Sequence, residues 1–293
     1  LRCLVGSEMC IRDRKNGVPF RAKFFANFAK LNNFGAMMPS LTNFFLKNSL
    51  TSSALKKMVG IAPKRSIPLL HKTTLRKWFK AFEKKKTKSK NKRKVYLFCD
   101  EFTNLSDTEI GIKAIELLTK LGYDVQMVAH EESGRTFLSK GLLKEAQAIA
   151  RKNVSIFAEL ISEKTPLLGI EPSAILSFRD EYPKLVAENE REKAKILGEN
   201  CLMIEEFLAK EMEKGHISAD LFTKKAKNIK LHGHCHQKSL SSVSPAAFLL
   251  ALPENYSVEV IPSGCCGMAG SFGYEAEHYE VSMQVGELVL FPA

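Results

Sequence analysis

The chain has 293 residues, 45% hydrophobic and 26% charged, with 44 Lys or Arg against 32 Asp or Glu and a formal net charge of +12. That apolar content suits packed cores and excludes a disordered or low-complexity chain, and no stretch approaches the ~20 apolar residues of a membrane-spanning helix. Seven cysteines without a recognisable secretory signal argue against a disulfide framework and for metal or redox chemistry in a reducing, cytoplasmic compartment.

In chain order, residues 1–14, with Cys3 and Cys10, resemble a translated sequencing adaptor and are set aside as a probable artefact. Residues 15–94 hold 21 Lys or Arg against one acid, Glu83, whereas residues 95–293 hold 20 against 29, so the positive charge belongs to the N-terminal segment. Within residues 15–83, Phe20, Phe24, Phe25, Phe28 and Leu31 recur at helical spacing, and Phe44, Phe45, Leu46 and Leu50 predict a second amphipathic helix. Basic amphipathic helices can lie on an anionic membrane, here as a peripheral contact at its inner face. They can also pack their Phe stripe on further domains upstream, which is the preferred expectation. Residues 84–94, with eight Lys or Arg in eleven, read as a solvated linker. Nucleic-acid binding is not expected, because no recognition fold or stacking motif accompanies the charge.

Residues 95–293 contain an internal repeat. Lys94-Val-Tyr-Leu-Phe-Cys99 and Asn228-Ile-Lys-Leu-His-Gly-His-Cys235 both read as strands ending in cysteine and running into a helix. In the first copy Ile110, Ala114, Leu117, Leu118 and Leu121 give that helix one buried face. A second strand follows each time: residues 125–129 lead to Glu132-Ser133-Gly134, and residues 258–262 lead to Cys265-Cys266-Gly267. Cys99 to Ser133 spans 34 residues and Cys235 to Cys266 spans 31, so the copies align. The first copy continues with a helix over 140–160, a third strand at 167–171 and the turn Pro172-Ser173-Ala174, 41 residues beyond Ser133. The same offset from Cys266 falls near position 307, so the second copy is expected to be truncated, with Val281, Val285, Leu288 and Val289 lining its last helix. Between the copies, residues 187–227 read as a helical connector, with Cys201 inside a polar helix as plain packing.

Two adjacent thiols cannot share one face of a strand, so Cys265 and Cys266, flanked by Gly264 and Gly267, suit a turn that offers both sulfurs to one multinuclear metal centre. Cys235 is the third candidate. Buried cysteine packing explains single cysteines well, but not this pair. His232, His234 and His236 alternate along a strand end, so they are expected on one face with Cys235 on the other. They are read as polar neighbours of the centre; a zinc site using these histidines with the cysteines is the alternative.

These residues carry a family resemblance. Cys235, Cys265-Cys266-Gly267 and the duplicated halves resemble the cysteine-rich CCG domain found in heterodisulfide reductases and in the iron–sulfur component of glycolate oxidase. More closely, Phe98-Cys-Asp-Glu-Phe-Thr103, Glu132-Ser-Gly-Arg135, Gly169-Ile-Glu-Pro-Ser-Ala174, His232-Gly-His-Cys-His-Gln-Lys238 and Ser263-Gly-Cys-Cys-Gly-Met-Ala-Gly-Ser-Phe-Gly273 resemble the C-terminal part of large FAD-linked 2-hydroxy-acid dehydrogenases, over about residues 55–293. The resemblance implies that Cys235, Cys265 and Cys266 ligate an iron–sulfur cluster of the 4Fe–4S type, with a further cysteine beyond Ala293. It also implies upstream flavin and ferredoxin-like domains, FAD in the former, and a quinone or carrier protein as electron acceptor. The first copy keeps only Cys99, because Glu132, Ser133 and Ala174 occupy the other ligand positions. It is expected to be a structural half without a cluster, with Cys99 buried and inert, since soft thiolates suit these clusters far better.

The expected fold is α/β: two tandem βαβ-type repeats with mainly parallel strands, the first degenerate over 95–186 and the second truncated over 228–293, preceded by a basic helical segment. Short apolar strands alternating with amphipathic helices make a parallel sheet, and ligands gather beyond its carboxyl edge. The expected function is an iron–sulfur electron-transfer module of a flavin-linked dehydrogenase that oxidises a D-lactate, D-2-hydroxyglutarate or glycolate type of substrate, with no turnover by this chain alone.

Overall fold

The computed structural model describes residues 17–85 and 92–293. The stretch 1–14 with Cys3 and Cys10 lies outside the described residues, as does most of the Lys-rich linker.

The first sheet is built from β1 (Lys94–Leu97), β2 (Asp124–Gln126), β3 (Leu167–Gly169) and β4 (Cys201–Met203), all parallel, in the order β2-β1-β3-β4. Val95 pairs with Val125, Tyr96 with Leu167 and Leu168 with Leu202. Alternation sends Tyr96, Phe98 and Leu167 into one core with Phe137, Phe157 and Phe178, and Val95, Leu97 and Leu168 into a second core with Ile115, Leu118 and Phe207. Covering both faces is what makes β1, β3 and β4 largely apolar runs, whereas the edge strand β2 buries Val125 alone. The fold is thus α/β with parallel strands, as expected.

Residues 187–227, expected to be helical throughout, contain a strand. Helix Arg191–Glu199 ends, β4 follows, and helix Ile204–Glu213 begins at once. Cys201 is therefore a fully buried strand residue and not part of a polar helix. Glu206 makes the break possible: its carboxylate accepts the Met203 amide at 2.9 Å and caps the second helix. A three-residue strand between runs of good helix formers shows no period of its own.

The second sheet has two parallel strands, β5 (Lys227–Leu231) and β6 (Tyr256–Val260), in register from Lys227↔Tyr256 to Leu231↔Val260. It is separate from the first sheet and less covered, with no fully buried residue on either strand. In the last helix, Tyr279–Glu287, the buried positions are Ser282 and Gly286; of the expected face, Val281 and Leu288 are exposed and Val285 and Val289 half-buried.

The basic segment forms short helices, Phe20–Ala26, Phe28–Gly35, Pro39–Lys47, Ser49–Val59 and Leu75–Lys85, instead of two long ones. Asn48 divides the middle pair by accepting the Leu50 and Thr51 amides on its side chain. The segment packs on its own chain. Leu75 and Phe79 enter the second core, Ala26 enters the first, and Ile61 bridges to Glu275 beside the hydrogen bonds Ala62 N to Tyr274 O and Ala276 N to Gly60 O.

Candidate metal centre

β5 and β6 run parallel, so the loops that leave their carboxyl ends emerge side by side. The first carries His232 to Cys235 and the second carries Ser263 to Gly267. Two contacts bind the loops to each other. His232 Nδ1 and Ser263 Oγ share a hydrogen bond at 2.5 Å. Lys238, three residues after Cys235 on helix Cys235–Leu240, donates Nζ to the carbonyls of Ser263 and Gly264, the latter at 3.3 Å. Cys235, Cys265 and Cys266 are thereby brought to one edge of one sheet, Cys235 exposed and the pair half-buried.

The thiols are little engaged by protein. Cys265 Sγ accepts the Gly267 amide at 3.3 Å, the bond that folds the tight Cys-Cys-Gly turn. The two glycines differ in role. Gly267 has φ +80°, and a Cβ there would lie 2.1 Å from the Ser282 carbonyl oxygen, so it permits close packing on helix Tyr279–Glu287. A Cβ on Gly264 would meet nothing within 4 Å, so the space beside the pair is open.

Among the described residues, the group of three possible ligands whose donor atoms all lie within 4.8 Å of one another is Glu275, Glu277 and His278, not the cysteines or the three histidines. That group is already neutralised: Arg21 pairs with Glu275 and Glu277, and Lys140 donates to Glu275 at 2.8 Å. Burial alone would raise the Glu275 carboxyl, but Lys140, Ser271 and Arg21 hold it below the usual range. The three sulfurs are spread more widely than the ligands of a single ion. Thiolates serve zinc and iron–sulfur clusters alike, but the spread of the three sulfurs does not suit a single ion held by all of them as they stand.

The histidines are not displayed on one strand face as expected, because β5 stops at Leu231. His234 is instead the N-cap of helix Cys235–Leu240, its Nδ1 accepting the His236 amide at 3.2 Å. His236 Nε2 lies 4.0 Å from Glu181 Oε2, across the junction of the halves. All three imidazoles are shifted below the ordinary histidine range, chiefly by burial, with Lys238 adding to this at His232 and Arg135 at His234 and His236. They present neutral rings beside the thiols at neutral pH.

The corresponding edge of the first sheet is filled by side chains. Cys99 is buried, its Sγ 3.6 Å from Asn104 Oδ1 and its amide donating to His130 Nε2 at 3.1 Å. Burial pushes its thiol up to about 12. Ser133, fully buried, gives its amide and hydroxyl to the two Glu101 carboxylate oxygens at 3.0 and 2.6 Å. Tyr182 donates to the Ser133 carbonyl and Asn153 to the Glu132 carbonyl, each at 2.9 Å. Ala174 is buried, with its amide on Glu171 at 2.6 Å. The roles of Glu101, Asn153, Tyr182 and Lys238 had no signal in the sequence, although Glu101 and Lys238 stand in the motifs quoted above, because the partners that give them roles lie 21 to 49 residues away.

No family profile and no solved structure matches the chain. Curated relatives do. It is 27% identical to D-2-hydroxyglutarate dehydrogenase of Escherichia coli (strain K12) over 278 residues, 92% of this chain and 26% of that protein. It is 24% identical to one of the subunits of the anaerobic glycerol-3-phosphate dehydrogenase of the same organism over 283 residues, 91% of this chain and 68% of that polypeptide. Lactate utilization protein A of Bacillus subtilis (strain 168) is 25% identical over 185 residues, 61% of this chain and 74% of that protein. The chain thus spans about a quarter of the length of the D-2-hydroxyglutarate dehydrogenase it matches.

Proposed function

We propose that this chain is the iron–sulfur electron-transfer part of a flavin-linked oxidoreductase acting on a small 2-hydroxy acid, with Cys235, Cys265 and Cys266 as ligands of a 4Fe–4S type cluster. The observation that carries the reading is the placement of three thiols, one of them accepting the Gly267 amide, on two cross-tied loops at the carboxyl edge of β5–β6. The relatives support an oxidoreductase setting: each of the three named above is called a dehydrogenase, part of a dehydrogenase or a lactate-utilisation protein. When bound, the cluster supplies one-electron acceptance and release.

The chain's own residues do the positioning. Lys238 and the His232–Ser263 bond hold the two loops at a fixed separation, and Gly267 turns the chain so that adjacent cysteines point away from a strand face. Neutral imidazoles at 232, 234 and 236 give a polar surround that adds no charge to thiolate donors. The first half serves as scaffold, its ligand positions taken by Ser133, Glu132 and Ala174. Oxidation of the substrate belongs to an FAD domain, joined through a ferredoxin-like domain of the same polypeptide, and electrons leave to a quinone or carrier. A reducing cytoplasm keeps the thiols available.

Anaerobic reconstitution, with iron and sulfide, of a protein extended beyond Ala293 to include the further cysteine tests this. Iron, acid-labile sulfide and a reduced-state EPR signal are expected in the parent and in Cys99→Ser, and their loss or strong change in Cys266→Ser. Stoichiometric zinc with no iron signal after anaerobic purification would defeat the reading.

A further inference from the structure

The basic N-terminal helices invert the ordinary logic of a surface helix, which buries its large apolar residues and exposes its small and polar ones. Helix Phe28–Gly35 buries Ala29 and leaves Phe34 78% exposed, and helix Pro39–Lys47 buries no residue at all. Met37, Met38, Leu41, Phe44, Phe45 and Leu50 are also turned outward, so the span 34–50 carries seven large apolar side chains on the surface. Scattered apolar residues on a surface need no explanation, but a run of this density marks an interaction site. The half-buried residues of the expected stripe do other work: Phe28 sits against Phe102 with ring centroids 6.5 Å apart, and Phe25 lies under Lys140.

Charge selects the occupant. Residues 17–82 contain twelve Lys or Arg and no Asp or Glu. Lys30, Lys47 and Lys57 are exposed on the same helices that carry the apolar side chains. Among the described residues no helix is long and apolar enough to cross a membrane. Short helices with protruding Phe, Met and Leu, whose charged residues are all basic, match a surface with an acyl layer beneath anionic headgroups. We infer that residues 34–58 are a docking surface for an anionic lipid bilayer, on which the chain lies peripherally.

Co-sedimentation of the full chain with phosphatidylcholine vesicles, with and without phosphatidylglycerol, tests this. Binding is expected to the phosphatidylglycerol vesicles and to weaken as salt is raised. The double variant Phe44→Ser/Phe45→Ser should bind about tenfold more weakly or worse, and Lys47→Gln about fivefold more weakly. Both sites are exposed, and far-UV circular dichroism and sedimentation velocity of each variant verify that fold and self-association are unchanged. Absence of binding to anionic vesicles overturns the inference. So does binding indifferent to Phe44 and Phe45, or a parent dimer that the double variant converts to monomer, which would make the face a contact between copies.

Discussion

Asp100 shows how far the first half goes in closing its sheet edge without a metal. It caps helix Glu101–Leu105, its carboxylate accepting the Phe102 and Thr103 amides at 2.9 Å and the Thr103 hydroxyl at 2.6 Å. Burial, with Glu101 and Glu171 close by, nevertheless pushes it up to about 7. The unfolded value is near 3.9. Between about pH 4 and 7 the folded state keeps a proton that the unfolded state has released, so Asp100 costs stability progressively as pH rises through that window. Glu132, raised to about 7 by burial and by Glu101, acts in the same direction. Asp100→Asn keeps a capping oxygen and removes the titration. Its melting temperature should therefore gain on the parent's by about 3 °C or more between pH 4 and pH 8; a constant difference in paired thermal scans would refute this.

At the scale of elements, the Cys-Cys-Gly turn depends on one backbone conformation. Gly267→Ala places a side chain at φ +80° and a Cβ 2.1 Å from a carbonyl that belongs to a helix. A loss of ~3 kcal/mol is expected in chemical denaturation, with iron incorporation reduced in parallel. Strands β1 and β3 are legible in the sequence because each is an apolar run ending in a turn signal, β2 because it precedes such a signal, and the two cysteine loops because their residues are contiguous. β4 is not, since three residues between helix formers have no readable period. The N-terminal helices are more numerous than their periodicity predicts, because the Asn48 side chain ends one helix and starts the next within a continuous apolar pattern. Alternation places the histidines on a strand that in fact ends at Leu231, before the first of them, and capping by His234 is visible only once the helix start is known. The carboxyl network of Asp100, Glu101 and Glu171 is illegible for a different reason: burial of these side chains is a tertiary fact.

Across the whole molecule, Glu275 joins three parts of the chain that are distant in sequence. It receives Arg21 from the first basic helix at 3.4 Å and Lys140 from the first half at 2.8 Å, while following the cysteine turn in the second half. Arg65 adds Nε to the Gly273 carbonyl at 2.7 Å and Nη2 to Ser282 Oγ at 2.8 Å. Glu275→Gln removes the carboxylate charge facing Lys140, while Arg21, itself 38% exposed, keeps Glu277, so a loss of ~1 kcal/mol is expected. Limited proteolysis should then cut within residues 17–59 sooner than in the parent, and unchanged cleavage would show that apolar packing alone holds the segment. The two sheets carry unequal shares of this stability. The four-stranded sheet has a core on each face, whereas β5–β6 is a two-stranded ribbon with no fully buried position, an arrangement that is marginal by itself. Its amides should exchange with solvent long before those of Val95 or Leu168, as a separate and weaker foldon. Metal binding to such a region goes largely into ordering it, so filling the cysteine edge would slow exchange across Lys227–Leu231 and Tyr256–Val260 and leave the first sheet untouched. The protein would then mature in two stages, a scaffold that folds on its own and a receiving half that is finished only by its cargo.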